Sequence, residues 1–282
     1  MRFGKSIMAL VADRGFRRNL GTGKSLSFVS PMKQRSVAVA LMLCAVSSCA
    51  LAFLGLGNSM SWKEEVLLHD GSILVLERHY NLGGRPTLDS RERAAIDETV
   101  TFTLPGTNKA VSWKTDFRDS IPEPNGLNLL LVDIVGGMPY IATYPVGCIA
   151  YNKWKRPNPQ YIVFKYEGGN WKHISLEEFP KELAMTNVIV GRPPGDLLKP
   201  FYKVADVQER NYYLPPEYKA ILREPVKGAG ANCGEMVYDG HGGWIGIGWF
   251  KKQPSLQACF KYCERENISP VYCPCESVFQ VK

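Results

Sequence analysis

The sequence predicts a mainly β fold of antiparallel hairpins, a sandwich or open barrel, followed by a small disulfide-rich α+β unit and preceded by one N-terminal transmembrane or signal helix. Three observations predict it: four successive pairs of apolar-rich runs joined by glycine-bearing turns, five cysteines within the last fifty residues, and one long uncharged stretch near the start. With 282 residues, 45% of them apolar and 22% charged, the chain can bury a proper core and shows no low-complexity composition.

The first element is the apolar stretch. From Val37 to Gly57 the chain reads VAVALMLCAVSSCALAFLGLG, 21 residues without a charge. At about 1.5 Å per residue this crosses a hydrocarbon core of roughly 30 Å. Arg2, Lys5, Arg14, Arg17, Arg18, Lys24, Lys33 and Arg35 precede it against Asp13 alone, and Glu64, Glu65 and Asp70 follow, which orients the N-terminus towards the cytoplasm. Residues 32–58 are therefore expected to be a signal anchor or a lipoprotein signal. Residues 1–31 are a basic cytoplasmic tail, or a misread start ahead of Met32. Three fates fit the stretch: retention as a span, lipidation of Cys49 in the lipobox-like run Val46-Ser47-Ser48-Cys49, or cleavage after Ala50-Leu51-Ala52. The expected location is the inner membrane with a periplasmic domain, an outer-membrane lipoprotein being the alternative. Because the leader carries the whole formal charge of +7, the remaining 26 basic and 26 acidic residues balance, which excludes a basic nucleic-acid-binding domain. Gly21-Thr22-Gly23-Lys24-Ser25 resembles the end of a phosphate-binding loop, but position 18 is arginine instead of glycine.

The hairpins come next, in a β domain expected over residues 59–225. Glu65 to His69 and Ser72 to His79 flank Asp70-Gly71, a two-residue turn signal. TVTFTL and AVSWK flank Pro105 to Asn108, LLLVDIV and PYIATY flank Gly136-Gly137, and YIVFKY and WKHISL flank Glu167 to Asn170. Four hairpins in succession imply an antiparallel domain, and the alternation in TVTFTL implies one wet face and one buried face. After Phe179-Pro180 the pattern loosens into two segments of helical spacing, LLKPFYKVADVQE and YKAILRE, separated by Pro215-Pro216.

The glycine-rich link KGAGAN opens the last unit, residues 226–282. Its cysteines, Cys233, Cys259, Cys263, Cys273 and Cys275, together with Cys148, are six disulfide candidates in an exported chain. Cys259 and Cys263 lie one helical turn apart, and Cys273 and Cys275 lie side by side on an expected final strand, so each pair points at another element. Bridges from the helix to Cys233 and to the Cys273/Cys275 strand are favoured, with one of these or Cys148 unassigned. A four-cysteine zinc site from C-x3-C and C-x-C is the alternative.

The stretches MSWKEEVLLHDG, AYNKWKRPNPQYIVFKYEG, AILREP and GGWIGIGWFKKQPSLQACFKYCE resemble a family of proteobacterial envelope proteins, with lipoprotein or membrane character and no assigned activity. SLQACFKYC is similar to the cysteine-bearing helix of PAN/apple modules, which implies protein or carbohydrate binding.

Candidate chemistry is sparse. The histidines are His69, His79, His173 and His241, and none forms a metal-spaced pair. His69 abuts a turn and His173 alternates along a strand. His241 sits with Asp239 among glycines beside Trp244, either as a polar pocket, which would make the chain a periplasmic hydrolase, or as a turn between strands. In the tract Tyr151 to Pro159, Tyr151, Trp154, Lys155 and Arg156 interleave aromatics with cations and could stack on a glycan or meet an anionic partner, unless Trp154 plugs the core. The reading is a non-enzymatic, membrane-tethered envelope protein that binds an envelope protein or a glycan, without cofactor, metal or catalytic residues.

Overall fold

Met60, Trp62, Glu64 and Val66 alternate with exposed neighbours, as do Leu74, Leu76, Arg78 and Tyr80, so one face of each segment is committed to the interior. In the computed structural model, which describes residues 59–84 and 93–280, this period becomes a five-stranded sheet. It contains β1 (Ser59–Leu67), β2 (Ile73–Gly83), β3 (Ala94–Thr103) and β4 (Ala110–Asp116) as an antiparallel meander. β9 (Phe201–Tyr202) adds two residues parallel to β1 at the opposite edge. A second meander holds β5 (Leu127–Val135), β6 (Met138–Pro145), β7 (Ile162–Glu167) and β8 (Asn170–Ile174). All four predicted hairpins are present. Gly136-Gly137 and Gly168-Gly169 all adopt positive φ, the conformation that a two-residue turn matching strand twist demands at both central positions.

The sheets pack face to face. Val66, Leu76, Val100 and Trp113 from the first meet Leu129, Val132, Ile141 and Phe164 from the second. The second sheet is also covered on its far side, where Leu131, Val163 and Tyr161 pack against Phe179, Leu183 and Ile221. This third layer explains why β5 is an almost unbroken apolar run: both of its faces are buried.

The far end of the first sheet carries charge into the interior. Arg78, fully buried, donates from Nε to Glu98 Oε1 at 2.6 Å and from Nη1 to Glu64 Oε1 at 3.3 Å. Its Nη1 also donates to the Ile189 carbonyl, and Nη2 to Tyr80 Oη at 3.1 Å, while the guanidinium lies 4.8 Å over the Trp62 ring. Burial pushes the Glu64 carboxyl up, against Arg78, which pulls it down. Ile189, Tyr202 and Val207 close this end, so the ion network fastens the segment following Asn187 to the sheet.

The C-terminal unit builds its core on cysteines. α4 (Gly248–Lys251), α5 (Leu256–Arg265) and α6 (Cys275–Gln280) bury Phe250, Cys259, Cys263 and Cys275, next to a hairpin of β10 (Met236–Tyr238) and β11 (Trp244–Gly246). Ser255 caps α5 by accepting the Ala258 N–H. The bridges are Cys148–Cys233, Cys259–Cys275 and Cys263–Cys273.

Four expectations need correction. Cys233 bonds to Cys148 on α1 (Gly147–Lys153), not to the cysteine helix, and no cysteine of the six is left over. Cys275 opens α6 where a final strand was expected: Pro274 has no N–H for a ladder, and its carbonyl accepts the Val278 N–H in the first helical turn. In LLKPFYKVADVQE the α-helix is α2 (Val204–Asn211), at the end of the run; Leu197 closes a 3-10 turn (Gly195–Leu197), and β9 holds Phe201 and Tyr202 extended. YKAILRE contributes one turn, α3 (Pro216–Lys219), after which Ile221 is drawn onto the second sheet.

The span, tail and Cys49 expectations concern residues 1–58, outside the described residues. Among the described residues no helix is long and apolar enough to cross a membrane.

Candidate functional site

The β1–β2 connection places the first functional group. Leu68 N–H bonds to the Ser72 carbonyl, which leaves a three-residue loop, His69-Asp70-Gly71, one residue longer than the turn expected. Asp70 Oδ1 accepts both the Ser72 N–H and its hydroxyl, and Gly71 takes φ +86°. The extra residue swings His69 away from its own hairpin towards β5. There Asp133, 2% exposed, accepts the His69 N–H on Oδ2 at 2.9 Å and His69 Nδ1–H on Oδ1 at 2.7 Å. A third donor, the Ile134 N–H, reaches Oδ1 at 2.7 Å. A carboxylate so bonded is fixed in place, and it fixes the imidazole, leaving Nε2 as the outer nitrogen. The bond to Asp133 holds the His69 pKa above its usual value. Desolvation opposes this, and the charges of Asp133, Asp70 and Glu182 reinforce it.

The pair stands in the wall of a cleft of about 550 Å³ between the end of β1, the middle of β5, the segment from Glu182 to Asn187, and α2. This is the size range of small-ligand sites. Leu68, Leu131, Leu183 and Val207 give it an apolar lining, all of them buried, and Leu67, Met185 and Tyr212 form an exposed rim.

Local bonding makes the walls rigid. Asn187 donates from Nδ2 to the carbonyls of Leu67 and Val132 and accepts the Val132 N–H on Oδ1, so one side chain stitches the edges of both sheets together. Asn211, at the end of α2, donates to the Val188 carbonyl at 2.6 Å, and Glu65 Oε2 accepts the Val204 N–H at the start of the same helix. Thr186 donates its hydroxyl to the Tyr218 carbonyl. Among the described residues, the side chains of Glu182 and Gln208 make no hydrogen bond, and the Lys219 ammonium lies 5.3 Å over the Tyr212 ring. No serine or cysteine is among the described residues that line the cleft, and the hydroxyl of Thr186, which does line it, is engaged with the Tyr218 carbonyl.

The residues singled out from sequence lie elsewhere. Tyr151 is 5% exposed, on α1, with the Arg156 guanidinium 5.0 Å over its ring. Trp154 packs edge-on against Phe164 and His173, at 5.9 and 5.4 Å, and donates Nε1–H to the Asn125 carbonyl. Trp154 thus packs on the core as a partly buried side chain, and Lys155 is the exposed cation of the tract. His241 is exposed at the tip of the β10–β11 hairpin, where Asp239 Oδ1 accepts the His241 and Gly243 N–H groups. Those two bonds hold the Asp239 pKa low despite some desolvation. Asp239 therefore shapes a turn instead of orienting an imidazole. Trp244 donates Nε1–H to the Asp119 carbonyl, which docks the hairpin on the β body. Among the described residues, the metal-type side chains that gather in threes or more are Cys263, Cys273 and Cys275.

The signal for the cleft pair was present in the sequence. Asp133 is the single charge in the apolar run LNLLLVDIV, and a buried charge requires a partner. No protein-family model, no curated protein and no solved structure matches the chain.

Proposed function

We propose that this chain is a membrane-tethered envelope protein whose exported part binds a short peptide segment of a partner in the cleft beside His69 and Asp133. The observation that carries this reading is the cleft itself: an aliphatic lining with prearranged polar groups, rigidly held between two sheet edges. Its chemistry favours a peptide. Leu68, Leu131 and Leu183 suit an apolar side chain, and Lys219 and Glu182 offer both signs of charge to a backbone or terminus beside the His69 imidazole. Glycan sites rely on exposed aromatic faces for stacking, and Tyr212 is the aromatic on this rim. Binding accounts for the site better than hydrolysis does, because Asp133 and Thr186 spend their polar atoms inside the fold.

The tether rests on the uncharged 21-residue stretch and the cations before it. An alkaline phosphatase fused after residue 60 is expected to be active and membrane-associated. Activity in the cytoplasm from a fluorescent fusion at the same junction would contradict export. The ligand class is tested by thermal shift of the full chain with a pool of tripeptides and, separately, with peptide-free glycan strands. Stabilisation by the tripeptides alone supports the reading, and stabilisation by glycan alone overturns it.

A further inference from the structure

We propose that Cys259, Cys263, Cys273 and Cys275, when reduced, form one tetrathiolate site for a metal ion of the zinc class, giving the C-terminal unit both a disulfide form and a metal-bound form. This stands apart from the peptide cleft and does not depend on it. Disulfides that merely staple a small domain can lie anywhere in it; here the two lie against one another. Cys275 Sγ is 3.6 Å from Cys263 Sγ and 3.4 Å from Cys273 Sγ, across the pairs. The sulfurs of Cys263, Cys273 and Cys275 all fall within 4.8 Å of each other, and Cys259 is bonded to Cys275. Four sulfurs at about 2.3 Å from a tetrahedral ion stand roughly 3.8 Å apart. Both contacts that Cys275 makes across the pairs are already close to that spacing; the bonded partners have to separate, and Cys259, released from Cys275, has to turn inward to complete the four.

The local sequence supports the same geometry. C-x3-C sets two thiols one turn apart on α5, on one side of the helix, and C-x-C returns two more from the segment around Pro274. Cys259 and Cys275 are fully buried and Cys263 is 4% exposed, among Phe250, Ile268 and Val278. Soft thiolates in a dry pocket select zinc-class ions over hard cations. Cys148–Cys233 forms a separate pair, tied to α1, and among the described residues no third thiol gathers with it.

The chemistry balances with a phosphine as reductant. Each phosphine takes an oxygen from water and becomes its oxide, and the two protons of that water and two electrons convert one cystine into two thiols. A divalent ion then displaces four protons and gains four metal–sulfur bonds.

The test uses the full chain, reduced with a phosphine and titrated with Co²⁺, then Zn²⁺. The expected result is one Co²⁺ per chain, with thiolate charge-transfer and tetrahedral d–d absorption that Zn²⁺ abolishes. The Cys148→Ser/Cys233→Ser variant should bind equally, and Cys259→Ser/Cys275→Ser should lose the tetrathiolate spectrum. Alkylation mapping covers the case in which reduction loosens the unit: Zn²⁺ should shield these four thiols and leave Cys148 and Cys233 reactive. Absence of cobalt–thiolate absorption, or shielding that fails to single out these four, overturns the proposal.

Discussion

Removing the Cys148–Cys233 bridge by Cys148→Ala/Cys233→Ala probes how the C-terminal unit is held to the β body. The bridge spans 85 residues, against 16 and 10 for the other two. Loop-closure entropy for such a loop is about 15 cal/mol/K, or roughly 4.6 kcal/mol at 25 °C, compared with about 3.1 and 2.7 for the shorter loops. That stabilisation acts on the unfolded chain, so the native docking contacts should survive the double substitution. Those contacts are Asn152, which donates to the Gly234 carbonyl and accepts the Met236 N–H, Trp244 to the Asp119 carbonyl, and Tyr238 Oη–H to the Ser120 carbonyl. With a urea dependence of about 2 kcal/mol/M, the midpoint should fall by roughly 2 M. Urea titration of the full chain, followed by tryptophan fluorescence and circular dichroism, measures it. A fall below about 0.5 M would refute the reasoning, because the bridge would then be closing no long loop in the denatured chain.

Arg78→Leu leaves Glu64 and Glu98 buried without their cation and should cost about 3–5 kcal/mol in chemical denaturation; a cost under about 1 kcal/mol would show that the network is not closed to water. Glu64, whose carboxyl burial pushes up, binds its proton more tightly in the folded state, so its contribution is complete below pH 4.5 and is lost as pH rises through its folded value. Glu64→Gln should remove that slope from a stability–pH curve, and an unchanged slope would assign it to another group. His69 is also raised above 6.5, so its pairing with Asp133 stabilises fully below that pH and fades as pH rises through the folded value. In a histidine-resolved NMR titration, Asp133→Asn should bring the imidazole down, and an unmoved midpoint would break the pairing.

What could be read from the chain was local. Each hairpin carries its own turn residues between runs of period two, and Gly136-Gly137 and Gly168-Gly169 specify turn geometry within four residues. The C-x3-C spacing likewise announces α5. What escaped was set at a distance. The third layer is pinned by Arg223, which donates to the carbonyls of Leu176, Phe179 and Pro180 more than forty residues away, and no periodicity in YKAILRE encodes that. The parallel pairing of β9 rests on two residues, too few for a pattern. His69 and Asp133 are 64 positions apart, and each looks ordinary in its own neighbourhood until the longer loop brings them together. In the aromatic–cation tract the inward direction of Tyr151 and Lys153 is set by α1, on which both are buried, and Lys153 donates to the Arg118 carbonyl and Asn125 Oδ1, partners about thirty residues away that the tract itself does not announce.

On the proposed reading a peptide ligand sits in the cleft between the two sheet edges. Methyl-resolved NMR of the full chain in detergent, with leucine and methionine labels and a saturating tripeptide from the stabilising pool, tests it most directly. The expected shifts are confined to Leu67, Leu68, Leu131, Leu183 and Met185, together with the His69 ring, and are lost in Leu183→Lys. Shifts that appear instead around Leu256 or Met236 in the C-terminal unit, or that persist unchanged in Leu183→Lys, would contradict it.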